Sequence, residues 1–170
     1  MSVITSQVSV GKQLYTPEQR QRRDSTAWTL VQGILAPIQF LVFLISLALI
    51  GRYLLTGEGY NIASVSVILK TLVLLTIMVT GAIWEKVVFG QYLLAPAFFW
   101  EDVVSFFVIG LHLAYVGALL TGLFTNDTQM WLALCAYALY IVNAAQFLLK
   151  LRAARISSAL ILEPNRGVVA

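Results

Sequence analysis

Charge is scarce in this chain: Asp, Glu, Lys and Arg make up 11% of its 170 residues, where soluble domains carry roughly a quarter. Cysteine occurs once, as Cys135 inside an apolar run, which excludes an intramolecular disulfide and any cysteine-based zinc, iron–sulfur or CxxC redox site. Histidine also occurs once, so paired-histidine haem ligation is excluded, and no Gly-rich dinucleotide loop is present. What remains is apolar: 59% of the residues are hydrophobic and the mean hydropathy is +0.84. Lipid is the solvent such a composition suits. The net charge of +3 does not imply a nucleic-acid partner, because most of the basic residues lie in the two terminal segments, where membrane topology accounts for them.

The apolar residues fall into four runs long enough to cross a hydrocarbon core of about 30 Å, which needs about 20 helical residues. The spans are expected at 27–55, 62–83, 103–123 and 130–149, with turns at 56–61 and 124–129. Lipid leaves only helices or closed barrels able to satisfy their backbone. The expected fold is therefore all-α, an integral membrane four-helix bundle. Residues 1–26 form a polar N-terminal segment without the roughly 7–15-residue apolar core of a signal peptide. Residues 27–155 form the membrane domain and 156–170 a C-terminal tail. Between spans two and three, residues 84–102 are apolar in the middle with a Trp-Glu pair at each end. They are expected to lie in or dip into the interface, where amphipathic rings such as Trp84, Tyr92 and Trp100 are favoured.

Lys12, Arg20, Arg22 and Arg23 precede the first span and Lys150, Arg152, Arg155 and Arg166 follow the last, whereas the second turn has no basic residue. Both termini are therefore expected on the cytoplasmic side. Intramembrane polar residues are costly and so informative. They are Gln32, Gln39, Lys70, Glu85, Glu101, Asp102, His112, Asn143 and Gln146. Most belong to the cytoplasmic half, with His112 about 13 Å in from that side, and Lys70 lies outside the group. Glu101, Ser105 and His112 share one helical face, as do Tyr140, Asn143 and Gln146. Each also has a plain structural explanation: Asn and Gln join helices at about 0.6–2 kcal/mol each, a lone His is as often packing as ligand, and interfacial carboxylates are often simply solvated. Their convergence suggests a polar, acid-containing site near the cytoplasmic face.

Four stretches carry a more specific signal: Leu14-Tyr15-Thr16-Pro17-Glu18 with residues 20–24, WTLVQGILAPIQFLVF (28–43), VTGAIWEKVVFGQYLLAPAFFWEDV (79–103) and NAAQFLLKLRAAR (143–155). Over Leu14 to Arg155 the chain resembles the 3-vinyl bacteriochlorophyllide hydratases of bacteriochlorophyll a biosynthesis. The resemblance implies addition of water to the C3 vinyl group of a chlorophyllide or bacteriochlorophyllide, giving a 1-hydroxyethyl group, in a bacterial inner (intracytoplasmic) membrane. It implies partners limited to pigment, water and lipid, with other pigment-biosynthesis enzymes or a second copy as candidates beyond those.

Hydration is redox-neutral and needs no cofactor. Protonation of the terminal vinyl carbon leaves a cation that the macrocycle delocalises, and water then captures it. Such a step calls for a carboxylic acid kept protonated by apolar surroundings. Glu85 is the first candidate, beside Trp84, with Lys86 acting against it. Glu101, beside Trp100, is expected to share a proton with it, and Asp102 is the third acid. His112 is assigned either to water or to axial ligation of the substrate's magnesium; the protein itself is expected to hold no metal. Gln32, Gln39, Trp84, Trp100, Asn143 and Gln146 are expected to line the pigment, and Lys86, Lys150 and Arg152 to face its propionate. The alternative is a non-catalytic tetrapyrrole-binding or pigment-assembly membrane protein. Topology is directly testable: in a Cys135→Ala background, Glu58→Cys or Asp127→Cys should react with an impermeant maleimide only from the non-cytoplasmic side, and labelling from the cytoplasmic side alone would refute the orientation.

Overall fold

The structure, a computed structural model, describes residues 14–162, with side chains as far as residue 155. Lys12, Arg166 and the end of the expected tail lie outside the described residues. Five helices follow in order: α1 (Pro17–Ser25), α2 (Ala27–Thr56), α3 (Tyr60–Phe89), α4 (Phe99–Thr121) and α5 (Asn126–Leu162). No strand occurs among the described residues. Helices α2 to α5 are each long and apolar enough to cross a membrane, as the four-span reading expects.

The ends of the helices follow local chemistry. Gly57 and Gly59, both at positive φ, turn the chain between α2 and α3, a conformation only glycine adopts without cost. Gly122 and Phe124 at positive φ do the same between α4 and α5. Within the expected polar N-terminal segment, residues 17–25 are helical. Thr16 and Gln19 form a capping box around Pro17 at the first helical position, which satisfies backbone donors that a helix start leaves open. The expected interfacial segment is also divided. Trp84, Glu85 and Lys86 belong to the last turns of α3, residues 90–98 form a loop, and Trp100, Glu101 and Asp102 open α4.

Each long helix buries one stripe at spacings of three and four. On α2 it is Gln39, Phe43, Ser46, Ile50 and Tyr53; on α4 it runs from Glu101 and Asp102 through Ser105, Val108, His112 and Tyr115 to Ala118. Many of the buried residues are polar, while the exposed faces carry Leu, Ile and Phe. This inversion suits a bilayer, since apolar side chains gain nothing from leaving lipid tails and polar ones must find partners inside. Packing is closest within two hairpins, α2 with α3 and α4 with α5, and thinner between them.

Hydrogen bonds join the hairpins. At the end bearing the two turns, Tyr53 donates to Asp127 (2.6 Å) and Tyr60 to Gln129 (2.5 Å). Deeper in, Tyr137 donates to Ser46 (2.6 Å), whose hydroxyl also bonds that of Ser66. Tyr53→Phe keeps the ring but loses the hydroxyl, so it should cost about 0.6–2 kcal/mol in reversible SDS unfolding. An unchanged unfolding curve would mean that this bond does not contribute.

Candidate active site

The terminal end of the bundle, opposite the turns, collects the acids. Glu85 is buried one turn before the end of α3, and Asp102 is buried in the first turn of α4. Their carboxyl groups lie close enough to interact directly. In buried surroundings two such neighbouring carboxyls favour one shared proton over two adjacent negative charges. Consecutive amides of the loop support the pair: Leu94 N–H donates to Asp102 (2.7 Å) and Ala95 N–H to Glu85 (3.2 Å). Leu94 has φ of 58°, a left-handed conformation costing about 1–3 kcal/mol for a residue other than glycine. That turn directs both amides at the acids, and the N-terminus of α4 adds its positive dipole end.

Glu101 plays a different part. Its carboxylate forms an ion pair with Lys150 of α5 (2.5 Å), and its carbonyl accepts from Asn143 (2.8 Å) and from Ser105 (2.8 Å). Ser105 also donates to the Asn143 side-chain oxygen (3.2 Å). The carboxyl beside Glu85 is that of Asp102, and the expected pairing with Glu101 is corrected: Glu101 is turned toward α5 and engaged by Lys150.

An aromatic cluster borders the acids. Phe98 contacts Trp84, Phe89 and Tyr15 and stacks on Phe147, with ring centroids 5.7–6.4 Å apart. Trp84 donates to Thr29 of α2 (2.9 Å), and Thr29 donates to the Arg23 carbonyl (2.6 Å). Tyr15 stacks on Phe89 beneath the Arg23 guanidinium, and its burial pushes the phenol pKa up. Arg22 reaches the Val88 carbonyl at 3.4 Å. Short N-terminal helix α1 is thus seated on the end of α3, beside the acids.

The remaining expected residues divide. Gln32 donates to Thr80 (2.8 Å) and joins α2 to α3; Gln39 is buried on α2, and Gln146 has an unpartnered buried side-chain oxygen. Lys86 turns outward to the Gly90 carbonyl (2.8 Å) and the Tyr92 ring, so it caps α3 and leaves Glu85 alone. Trp100 is 68% exposed beside Phe99, and Arg152 is exposed on α5. His112 does not join the acids, being ten residues from Asp102 and so about 15 Å along α4. It stacks on Tyr137 beside Lys70, whose ammonium lies 3.7 Å from the centre of the Tyr140 ring. Lys70 thus lies outside the acid group and faces the interior of the bundle beside His112. Tyr15, Phe89, Phe98 and Phe147 were not singled out by sequence, nor were the Leu94 and Ala95 amides. The four rings lie within the distinctive stretches, but a left-handed leucine has no sequence signature.

All four stretches meet at this one end, which gives the comparison with known proteins its structural meaning. The family model described as 2-vinyl bacteriochlorophyllide hydratase (BCHF) matches residues 15–153. The chain belongs to this family. Two curated relatives bear the name 2-vinyl bacteriochlorophyllide hydratase. That of Rhodobacter capsulatus is 66% identical over 148 residues, covering 87% of this chain and 86% of its own. That of Cereibacter sphaeroides is 66% identical over 152 residues, covering 89% and 94%. No solved structure matches. The matched region of the hydratase family begins at Tyr15, so it takes in α1 and its aromatic anchor. Tyr15→Ala should release α1, read as at least about tenfold faster tryptic cleavage at Arg20, Arg22 or Arg23, since losing a buried ring costs about 3–5 kcal/mol. Unchanged cleavage would show that α1 is held otherwise.

Proposed function

We propose that this chain adds water across the ring vinyl group of a chlorophyllide or bacteriochlorophyllide, with Glu85 and Asp102 as a one-proton acid pair. The observation that carries the reading, given the family, is the contact between these two carboxyls beside an aromatic cluster. In the proposed cycle the pair delivers its proton to the terminal vinyl carbon, giving a methyl group and a cation on the carbon attached to the ring. The macrocycle spreads that charge, and the carboxylates stand close enough to stabilise it. Water bonds to the cationic carbon, and the pair takes the proton the water loses. One proton leaves and one returns, so the pair ends as it began and no redox partner is required.

The flat ring is placed against Trp84, Phe89, Phe98 and Phe147, entering where packing between the hairpins is thinnest. Its propionate lies toward the basic residues of the terminal end, Lys150 and Arg152, with Lys150 shared with Glu101. Both termini face the cytoplasm in this reading, on the strength of the basic residues around α1 and the end of α5. The alternative of pigment binding without turnover relies on His112 as the magnesium ligand. It is disfavoured by the neighbouring Lys70 side chain and by Tyr137, which lies against the imidazole.

Membranes containing only this protein should convert vinyl pigment to the hydroxyethyl product without reductant. Run in D2O, the new methyl group should gain one deuterium, and the oxygen should come from water; oxygen arriving from O2 would end the hydratase reading. Glu85→Gln and Asp102→Asn should each lower kcat at least about 100-fold with pigment affinity retained, and Glu101→Gln should lower it less. Near-normal turnover in both of the first two variants would refute the acid pair.

A further inference from the structure

A second polar cluster lies deeper in the bundle. Ser64 and Lys70 on α3, with His112 and Tyr115 on α4, are each at least nine-tenths buried, and Ser64 Oγ, Lys70 Nζ, His112 Nε2 and the Tyr115 hydroxyl all lack a hydrogen-bond partner. A buried polar atom left unpaired costs about 1–3 kcal/mol. Four together need a common explanation.

Their chemistry is complementary. His112 Nδ1 lies 2.8 Å from the Val108 carbonyl; a carbonyl only accepts, so the ring proton is on Nδ1 and, in the neutral ring, Nε2 presents a lone pair. The Lys70 amino group nearby can donate in either protonation state. The Ser64 and Tyr115 hydroxyls approach each other and can each donate and accept. A donor and an acceptor that stand near each other without bonding are bridged by a molecule offering both functions, and a buried water typically makes two to four such bonds. No group of three metal-ligating side chains occurs among the described residues.

We propose that Ser64, Lys70, His112 and Tyr115 hold a cluster of buried water molecules that supplies the hydration reaction from within the bundle. The supply role rests on the hydratase reading above; the water site does not. Tyr140 and Asn143 of α5 stand between the cluster and the acid end. Lys70 lies over the Tyr140 ring, Asn143 is the next turn of α5, and Asn143 bonds the backbone of Glu101, whose neighbour is Asp102. Glu85 and Asp102 are themselves buried in protein, so water reaches them through the interior of the bundle.

The test is X-ray radiolysis of the intact protein in lipid nanodiscs in oxygen-18 water, where radicals formed from waters in place mark the adjacent side chains. Oxygen-18 is expected on Tyr115 and His112 despite their burial, but not on buried Phe43. The label should fall severalfold in Lys70→Met and in Tyr115→Phe, the latter read at His112. In both variants kcat should fall about five- to tenfold, as expected for a lost hydrogen bond, with pigment affinity unchanged. Absence of label in the wild type, label that vanishes when pigment binds, or loss of label with kcat unchanged would each overturn the proposal. If the water label appears but no variant or wild-type membrane forms hydroxyethyl product, the hydratase reading fails and the supply role with it.

Discussion

A bilayer core supplies no hydrogen-bond partners, and that constraint shapes every polar position in this chain. It turns the usual arrangement outward, with Leu, Ile and Phe facing lipid and with Gln39, Ser46, Lys70, Ser105, His112 and Asn143 on the inner stripes. It also explains why side-chain hydrogen bonds join the helices here. Ser46 bonding to both Tyr137 and Ser66, and Asn143 spanning Ser105 and the Glu101 carbonyl, replace the hydrophobic driving force that holds a bundle together in water.

The carboxyls obey the same constraint in two ways. Glu101 is matched by a cation, Lys150, reaching from the last turns of the membrane-crossing part of α5. Glu85 and Asp102 are matched by each other and by two amides of a turn that only the strained Leu94 permits. Three acids within a small region thus acquire two different settings from their partners alone: one is paired with a cation, and the other two face each other, the arrangement that the proposed acid pair requires.

The four helices were legible because composition and run length decide them. The polar stripe was legible in part, since spacings of three and four placed Glu101, Ser105 and His112 on one face. Depth was the weaker inference. A shared face says nothing about separation along the axis, and the ten residues between Asp102 and His112 put them in different layers. The choice between Glu101 and Asp102 as partner of Glu85 was also beyond the sequence, because it depends on which way the first turn of α4 faces after the loop 90–98. The helix at α1 was there to be read: Thr16-Pro17-Glu18-Gln19 is a capping box with proline at its first position.

The contact between Glu85 and Asp102 spans the seam between the two hairpins, since α3 belongs to one and α4 to the other. In the proposed cycle the same proton serves as reagent and as fastener. With it in place the hairpins are latched at this end; once it has passed to the substrate, two like charges face each other across the joint and push it apart. The tyrosine bonds at the far end take no part, so the strain of that charged interval falls at this end alone and is relieved when water returns the proton, with the seam closed again around the product.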